Sequence, residues 1–176
     1  MKKLHLITLL SVIALIISFF FDKEINKFIF GLNPSFLKSF MLILDNWVTS
    51  VVLFLVIPSI ILFRKRKKMV FLWITLVLGY LIATVLKVLI VRERPDLALI
   101  QEDSFSFPSR HAAVAFSVLP FMLEEKHYWI WILAILIGLS RLILGVHYLS
   151  DVIAGGLIGY YVGYSLLRLY KKEIPF

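Results

Sequence analysis

The stretch Ser140–Asp151 places an arginine, a histidine and an aspartate at the junction of two strongly apolar segments. Ionisable groups within apolar spans are energetically costly, so they mark candidate functional sites. If Asp151 opens the following helix, its carboxylate can hold one nitrogen of His147 and leave the other free to attack an electrophile. Arg141 adds a permanent cation whose planar fork suits phosphate or carboxylate. A nucleophilic imidazole beside an anion-binding arginine is what phosphoryl transfer needs.

Two further groups of polar residues lie earlier in the chain, again where apolar segments end. Lys87 and Arg94 are seven residues apart, so as helix positions they would share one face. Ser109 is suited to cap a helix whose first backbone N–H groups would bind an anion. Arg110 and His111 follow it directly. We therefore expect these residues to converge with the Ser140–Asp151 group at one site.

Each of these residues also has a purely structural interpretation. Lys87 could extend its ammonium to the membrane interface, and Arg94 and Arg141 could anchor to lipid headgroups. His147 and Asp151 could form half of a metal site. The cap and the second histidine could be structural only. Their placement at the same ends of several helices favours the functional interpretation.

Composition sets the class of protein. The chain has 176 residues, of which 61% are hydrophobic and 17% charged, too apolar for an ordinary soluble fold and typical of a membrane helix bundle. The net charge of +8 comes in short basic runs between apolar spans, which indicates membrane topology and argues against a nucleic-acid partner. The absence of cysteine excludes disulfides, a thiol nucleophile and a Cys-ligated metal. We expect one domain over residues 1–176.

The hydropathy pattern predicts an all-α fold, a six-helix transmembrane bundle with an interfacial helix, Phe36–Leu44, between spans 1 and 2. A polar connection covers residues 22–33, and the first helix is expected to be uncleaved. The predicted spans are Leu4–Phe21, Trp47–Phe63, Met69–Val91, Ser109–Glu124, Tyr128–Leu144 and Ser150–Leu169.

Basic runs orient these spans. With both termini in the cytoplasm, the runs Arg64–Lys68 and Lys171–Lys172 and the residue Lys126 all fall inside. The candidate site residues then lie at the periplasmic face of a bacterial inner membrane. Gly155, Gly159 and Gly163 form one smooth face of the sixth span, which favours close packing within the bundle over a dimer interface.

Three motifs occur in order and with characteristic internal spacing, and they resemble the three-part signature of the phosphatidic acid phosphatase type 2 superfamily of membrane lipid phosphatases. The motifs are Lys87-x6-Arg94-Pro95, Pro108-Ser109-Arg110-His111 and Ser140-Arg141-x5-His147-x3-Asp151. One position departs, because Arg110 stands where that family usually has glycine. The chain as a whole looks most like the bacterial lipid A 1-phosphatases, with phosphatidylglycerophosphate and undecaprenyl pyrophosphate phosphatases as alternatives.

The resemblance implies a mechanism and assigns roles. His147 would attack phosphorus to form a phosphohistidine, Asp151 would orient it, and His111 would protonate the leaving oxygen and then activate water. The phosphoryl oxygens would be held by Lys87, Arg94, Ser109, Arg110 and Arg141. These cations would do the work of a metal, so neither metal nor other cofactor is expected. The implied partner is a lipid phosphate; the oligomeric state stays open.

Two other function classes are weaker. An intramembrane serine protease would use Ser109 as nucleophile and His147 as base, but would leave the cations without a role. A lipid or anion transporter would place its site nearer the midplane. For a lipid substrate, we expect Phe36–Leu44, Phe105 and Phe107 to contact the acyl chains.

Overall fold

The computed structural model describes residues 2–31 and 35–173, and over those residues the fold is entirely helical and contains no strand. The all-α prediction is therefore confirmed. The helices are α1 Lys2–Gly31, α2 Ser35–Asp45, α3 Trp47–Ile61, α4 Arg66–Ile90, α5 Arg110–Ser117, α6 Leu119–Glu124, α7 Ile130–Ile143 and α8 Leu149–Glu173. The middle of α3, Val52–Val56, is a π-helical segment.

Among the described residues, α4 and α8 are each long and apolar enough to cross a membrane. Helices α2 and α3 reach that criterion only together, with a bend of 58° between them. Asn46 lies at the bend and caps α3, because its side chain accepts a hydrogen bond from the backbone N–H of Val48 at 2.8 Å. The exact number of spans and the interfacial position of α2 stay predictions.

The polar connection predicted for residues 22–33 is wrong for most of its length, because α1 continues as helix to Gly31. Residues 32 and 33 lie outside the described residues. Two of the polar side chains in the last turns of α1 point into the protein: Asp22 accepts hydrogen bonds from Ser150, and Asn26 donates to the carbonyl oxygen of His147 at 3.4 Å. Their polarity reflects partners inside the protein and not a loop.

One end of the bundle is held together by ion pairs. Lys68, at the start of α4, is only 3% exposed and pairs with Glu124 at 3.0 Å, and Lys65 pairs with Glu125 at 2.6 Å. Lys171, near the end of α8, also pairs with Glu124 at 3.0 Å. Lys68 belongs to the basic run Arg64–Lys68 that was predicted to face the cytoplasm, yet its ammonium is buried between the carboxylates of Glu124 and Glu125.

Lys87 lies near the opposite end of α4, about 28 Å from Lys68 at the usual rise of an α-helix. That distance is close to the thickness of the hydrocarbon core of a bilayer, roughly 30 Å. The basic residues at one end and the candidate site residues at the other are therefore separated by about one membrane thickness.

Helices α5 and α8 pack almost backbone to backbone along the glycine face of α8. A Cβ atom built on any of its three glycines would overlap a main-chain carbonyl oxygen; the pairs are Gly155 with Ser109, Gly159 with Ala113, and Gly163 with Ser117. The glycine face therefore packs within the bundle, as its spacing predicted. This close approach brings the start of α5 against the start of α8.

The glycine contact gives a prediction about stability. At Gly159, an added Cβ would also lie 2.8 Å from the carbonyl carbon of Ala113, a backbone atom that cannot move alone. We expect Gly159→Ala to destabilise the protein by about 1–3 kcal/mol, as overpacking usually does. The measurement is the midpoint of thermal unfolding in detergent.

Gly79 on α4 is the matched control, because it faces the same carbonyl oxygen of Ala113 at an ordinary 3.6 Å. Gly79→Ala brings the same gain in helix propensity without the overlap, so its effect should stay within about 1 kcal/mol. Equal midpoints for the two variants would contradict the proposed close packing of α5 on α8.

Candidate active site

His147 lies in the tight turn of residues 144–148 that joins α7 to α8. Gly145 has φ of +69°, and a Cβ atom there would lie 2.6 Å from the carbonyl oxygen of Leu97, so the turn requires glycine. The backbone N–H of His147 donates to the carbonyl oxygen of Arg141 at 3.3 Å. The close packing of Gly145 on Leu97 and the hydrogen bond from His147 to Arg141 together fix the position of the histidine.

The side chains of His147 and Asp151 are in contact and almost completely buried. Nδ1 of His147 lies 3.3 Å from Oδ2 of Asp151, and the same oxygen accepts the backbone N–H of Tyr148 at 2.9 Å. An ionised carboxylate in this position requires the proton of a neutral imidazole to be on Nδ1. The lone pair of Nε2 is then available to a substrate.

The environment of His147 favours the uncharged imidazole. Burial lowers the pKa of His147 well below its ordinary value, and the nearby cations Arg141, Lys87 and Arg94 lower it further. The side chain is therefore neutral at pH 7. A neutral imidazole with an unprotonated Nε2 is the form that can act as a nucleophile.

The guanidinium of Arg94 faces that nitrogen. Its Nη1 lies 3.5 Å from Nε2 of His147 and donates to the carbonyl oxygen of Val146 at 2.7 Å, while Nε donates to the carbonyl oxygen of Ser104, also at 2.7 Å. The guanidinium is thus anchored to two separate loops. It stands where it can stabilise an anion that His147 attacks.

Lys87 projects from the last turn of α4 into the long loop of residues 92–107. Its ammonium donates to the carbonyl oxygen of Ser106 at 2.9 Å and also to that of Phe105. The hydroxyl of Ser106 in turn donates to the carbonyl oxygen of Glu93 at 2.9 Å. In this state Lys87 organises the loop that carries the anchor of Arg94.

Arg141 is fully buried and neutralised by two carboxylates. It forms an ion pair with Asp45, at the end of α2, and its Nη2 donates to Oε1 of Glu102 at 2.6 Å. The other oxygen of Glu102 lies 3.4 Å from Nη2 of Arg94. The carboxylate of Glu102 therefore bridges the two arginines that were predicted to hold the phosphoryl group.

Ser109 caps α5 as predicted. Its backbone is extended, its hydroxyl oxygen accepts the N–H of Ala112 at 3.4 Å, and its own N–H donates to the carbonyl oxygen of Asp151 at 3.0 Å. The second and third motifs are thus joined through the main chain. Because this hydroxyl bonds to Ala112 and not to His147, the arrangement lacks the serine–histidine contact of a protease.

Arg110 adopts ordinary helical backbone geometry, so replacing the usual glycine causes no strain here. Its guanidinium lies 5.6 Å from the centre of the Tyr80 ring and donates to the hydroxyl of Ser104 at 3.1 Å. Ser104 also accepts a hydrogen bond from Arg94 at 3.0 Å. One serine hydroxyl therefore couples Arg110 to the arginine beside His147.

His111 and Arg110 line an apolar cavity of about 550 Å³ between α3, α4 and α5. The rest of its wall is largely aromatic and aliphatic and includes Trp47, Phe54, Trp73 and Leu76. The acyl-chain contacts expected from Phe36–Leu44, Phe105 and Phe107 are not part of this wall. Phe107 packs on the ring of Phe19 instead, at 5.6 Å between centroids.

The structure brings some of the predicted residues into contact with His147 and connects others to it indirectly. Asp151 and Arg94 contact it, whereas Lys87, Ser109, Arg110 and Arg141 reach it through the loop of residues 92–107 or through the main chain. Sequence reasoning missed four polar residues that complete the site: Asp22, Arg92, Glu102 and Ser104. Only Arg92 carried a signal, a cation two residues before Arg94, and nothing in the spacing distinguished the two.

The Glu102 bridge predicts tighter anion binding when its charge is removed. A bound phosphate must displace this carboxylate from Arg141 and Arg94, and charge-assisted contacts of this kind contribute about 1.5–3 kcal/mol. Glu102→Gln should therefore lower the inhibition constant of orthovanadate by about tenfold or more. The neighbouring carboxylate gives the control, since Asp103→Asn should leave it unchanged. Weaker inhibition of Glu102→Gln would mean that the carboxylate holds the arginines in place for the anion.

Comparisons with known proteins identify the family of the chain. The sequence model of the PAP2 superfamily matches residues 67–175. Phosphatidylglycerophosphatase B of Bacillus subtilis is 42% identical over 94 residues, which are 45% of this chain and 46% of that relative. The chain therefore spans just under half the length of this relative. An undecaprenyl-diphosphatase of Sulfolobus acidocaldarius is 29% identical over 164 residues, 85% of this chain and 78% of the relative.

Two solved structures share the fold. The transmembrane PAP2-type phosphatidylglycerolphosphate phosphatase from Bacillus subtilis superposes with a TM-score of 0.80 at 27% identity, over the full length of both chains. LpxE of Aquifex aeolicus gives 0.62 at 25% identity, over 82% of this chain and 93% of the other. These relatives and the long apolar helices α4 and α8 identify an integral membrane protein. By its three motifs, its fold and the family match, the chain belongs to the PAP2 superfamily, as the resemblance of its motifs indicated.

Proposed function

We propose that this protein is a metal-independent lipid phosphatase that works through a phosphohistidine intermediate. The observation that carries the proposal is the buried, neutral His147, whose Nδ1 faces Asp151 and whose Nε2 faces the guanidinium of Arg94. A nucleophile and a cation that meet at one atom suit attack on a phosphoryl group.

The proposed reaction has two steps. In the first, Nε2 of His147 bonds to phosphorus while the bond from phosphorus to the lipid oxygen breaks, and His111 gives a proton to that oxygen. In the second, His111 takes a proton from water, whose oxygen bonds to phosphorus as the phosphorus–nitrogen bond breaks and releases inorganic phosphate. Asp151 stabilises the positive imidazole that forms in the first step. The negative charge on the phosphoryl oxygens is stabilised by Arg94, Arg141, Lys87 and the backbone N–H groups at the start of α5, which Ser109 caps.

The apolar cavity supports a lipid as the substrate. Its wall is built mainly from α3 and α4, and at the start of α5 Arg110 and His111 contribute a guanidinium and an imidazole. An amphipathic molecule can place its chain against Trp47 and Trp73 while its phosphate reaches the two polar residues. The proposed acid, His111, would then stand next to the oxygen that joins phosphate to lipid.

We further propose six spans, with both termini in the cytoplasm and the site at the outer face of the plasma membrane. The separation of about one bilayer thickness between Lys68 and Lys87 supports it. So does the collection of basic residues at the end of the bundle remote from His147. In this arrangement α5 and α6 together make one span, interrupted near Pro120, where proline disrupts the helical hydrogen bonds.

The relatives do not indicate which lipid headgroup this protein would act on. Lipid A, phosphatidylglycerophosphate and undecaprenyl diphosphate are supported equally, so the expectation of lipid A has no priority. All three present an anionic phosphate on an apolar anchor, and the same chemistry would serve each of them.

The covalent mechanism predicts the effect of removing the nucleophile. His147→Ala should reduce turnover of a short-chain lipid phosphate in detergent to below a few per cent, and Asp151→Asn should leave a small residual rate. The assay contains EDTA, because the proposal needs no metal. During turnover, wild-type protein should carry phosphate that is released by acid but stable to alkali, as expected for phosphohistidine.

His127→Ala is the matched control for this experiment, since His127 lies near the ion pairs at the other end of the bundle. It should keep wild-type turnover. Retained activity in His147→Ala, or a requirement for added magnesium, would contradict the mechanism.

Arg110 is expected to select among the headgroups. Its guanidinium borders the lipid cavity, where it can contact an anionic group beyond the phosphate that is cleaved, a contact of about 1.5–3 kcal/mol. Arg110→Gly should therefore lower kcat/KM by about ten- to a hundred-fold on some members of a panel and spare others. The panel is lipid A, phosphatidylglycerophosphate and undecaprenyl diphosphate in one detergent, with Arg110→Lys to retain charge alone. Equal losses on all three would show that Arg110 does not select the substrate.

A further inference from the structure

Arg92 lies behind the proposed catalytic pair, on the side of Asp151 that faces away from His147. Its Nη1 donates to Oδ1 of Asp151 at 2.7 Å and to the hydroxyl of Ser150 at 2.6 Å, and its Nη2 donates to Oδ2 of Asp22 at 2.7 Å. One guanidinium therefore bridges two buried carboxylates, one on α1 and one on α8. The planar guanidinium presents its donors in a fixed fork, which suits it to hold two carboxylates in a set geometry.

Asp22 is also bound directly to the first turn of α8. Its Oδ1 accepts the backbone N–H of Ser150 at 3.0 Å, and its Oδ2 accepts the Ser150 hydroxyl. A carboxylate at a helix N-terminus stabilises the unpaired N–H groups there. The two partners are 128 residues apart in the chain, so this contact is a tertiary one that joins α1 to the start of α8.

The two oxygens of Asp151 have different partners. Oδ1 accepts from Arg92, whereas Oδ2 accepts the backbone N–H of Tyr148 and faces Nδ1 of His147. Rotation of the carboxylate would break both sets of contacts at once. The guanidinium of Arg92 is itself held in place, since it stacks on the ring of Tyr148 at 4.3 Å and lies 5.1 Å from that of Phe19.

We propose that Asp22 and Arg92 are positioning residues that fix the Asp151 carboxylate and thereby the tautomer and orientation of His147. This inference rests on the proposed function, in which His147 is the nucleophile. Neither residue contacts the reacting phosphate. Their loss should therefore slow the chemical step and leave substrate binding nearly unchanged.

Arg92 and Arg94 have opposite roles in this arrangement. Arg94 faces Nε2 of His147, where a substrate would lie, whereas Arg92 faces the carboxylate behind Nδ1. Substitution of Arg94 should raise KM or weaken vanadate binding, because it removes a phosphate contact. Substitution of Arg92 should lower kcat by about 10- to 100-fold, the usual effect of removing a partner of a functional side chain, with KM within about twofold of wild type.

A purely structural role for the pair is the alternative, and a double-mutant cycle separates the two. If Arg92 acts through Asp151, then Arg92→Gln should lower kcat strongly in the wild type but by less than about twofold in an Asp151→Asn background. Asp22→Asn, nearly isosteric, should behave in the same way with a smaller first effect. Arg92→Lys should recover only part of kcat, because a lysine ammonium lacks the fixed planar fork with which Arg92 spans Asp22 and Asp151. Lys23→Gln, a charge change beside Asp22 outside the network, should leave kcat unchanged.

A second measurement does not depend on turnover. The tautomer of His147 can be read from imidazole ¹⁵N NMR spectra of the full chain, labelled at histidine and kept in detergent. The signal of His147 is assigned as the one that is lost in His147→Ala. In the wild type it should show a protonated Nδ1 and an unprotonated Nε2. Arg92→Gln and Asp22→Asn should shift it toward a mixture of tautomers while the melting midpoint stays above the assay temperature. An unchanged tautomer, or losses in kcat that multiply in the cycle, would overturn the inference. Absence of any lipid phosphate hydrolysis by wild type would instead overturn the proposed function and leave the tautomer result standing.

Discussion

The buried carboxylate of Asp151 is the constraint around which the rest of the site is arranged. A charge with no solvent exposure is tolerated only when it is paired and hydrogen-bonded, since desolvation alone costs several kcal/mol. Asp151 meets this demand with Arg92 from the loop after α4, the N–H of Tyr148 from its own turn, and the imidazole of His147. Arg92 in turn requires Asp22 on α1. Satisfying one charge therefore brings three distant parts of the chain together.

The geometry around this carboxylate depends on how closely the helices approach. The N–H of Ser109 reaches the carbonyl oxygen of Asp151 only because α5 lies against the glycine face of α8. A side chain at Gly155 or Gly159 would separate the two helix starts. In a bilayer, where helices gain little from the hydrophobic effect, such close contact between small residues is a principal source of association. The positions of the polar side chains in the site therefore depend on how closely α5 and α8 pack in the apolar part of the bundle.

The buried cations of the site are paired with carboxylates of the protein itself. Arg141 cannot remain buried as an isolated charge, and Asp45 and Glu102 neutralise it. Glu102 also lies near Arg94, so one carboxylate on a loop takes the position of an anion between two arginines. On the other side of the site the wall becomes apolar, beyond Arg110 and His111. The site thus has a charged side, which an internal carboxylate satisfies, and an apolar side formed by the cavity between α3, α4 and α5.

Spacing along the chain was enough to predict an all-helical membrane bundle, the glycine contact, and the pairing of His147 with Asp151, because helical periodicity and an interval of four residues act over one or two turns. It was not enough for the end of α1, which was predicted as a loop because the partner of Asp22 lies 128 residues away. Nor could it distinguish Arg92 from Arg94, two identical side chains of which one contacts Asp151 and the other lies near Nε2 of His147. The sequence by itself determined the residue types and their local intervals. Only the tertiary structure decided which buried charge faces which, because that pairing depends on how helices far apart in the chain pack together.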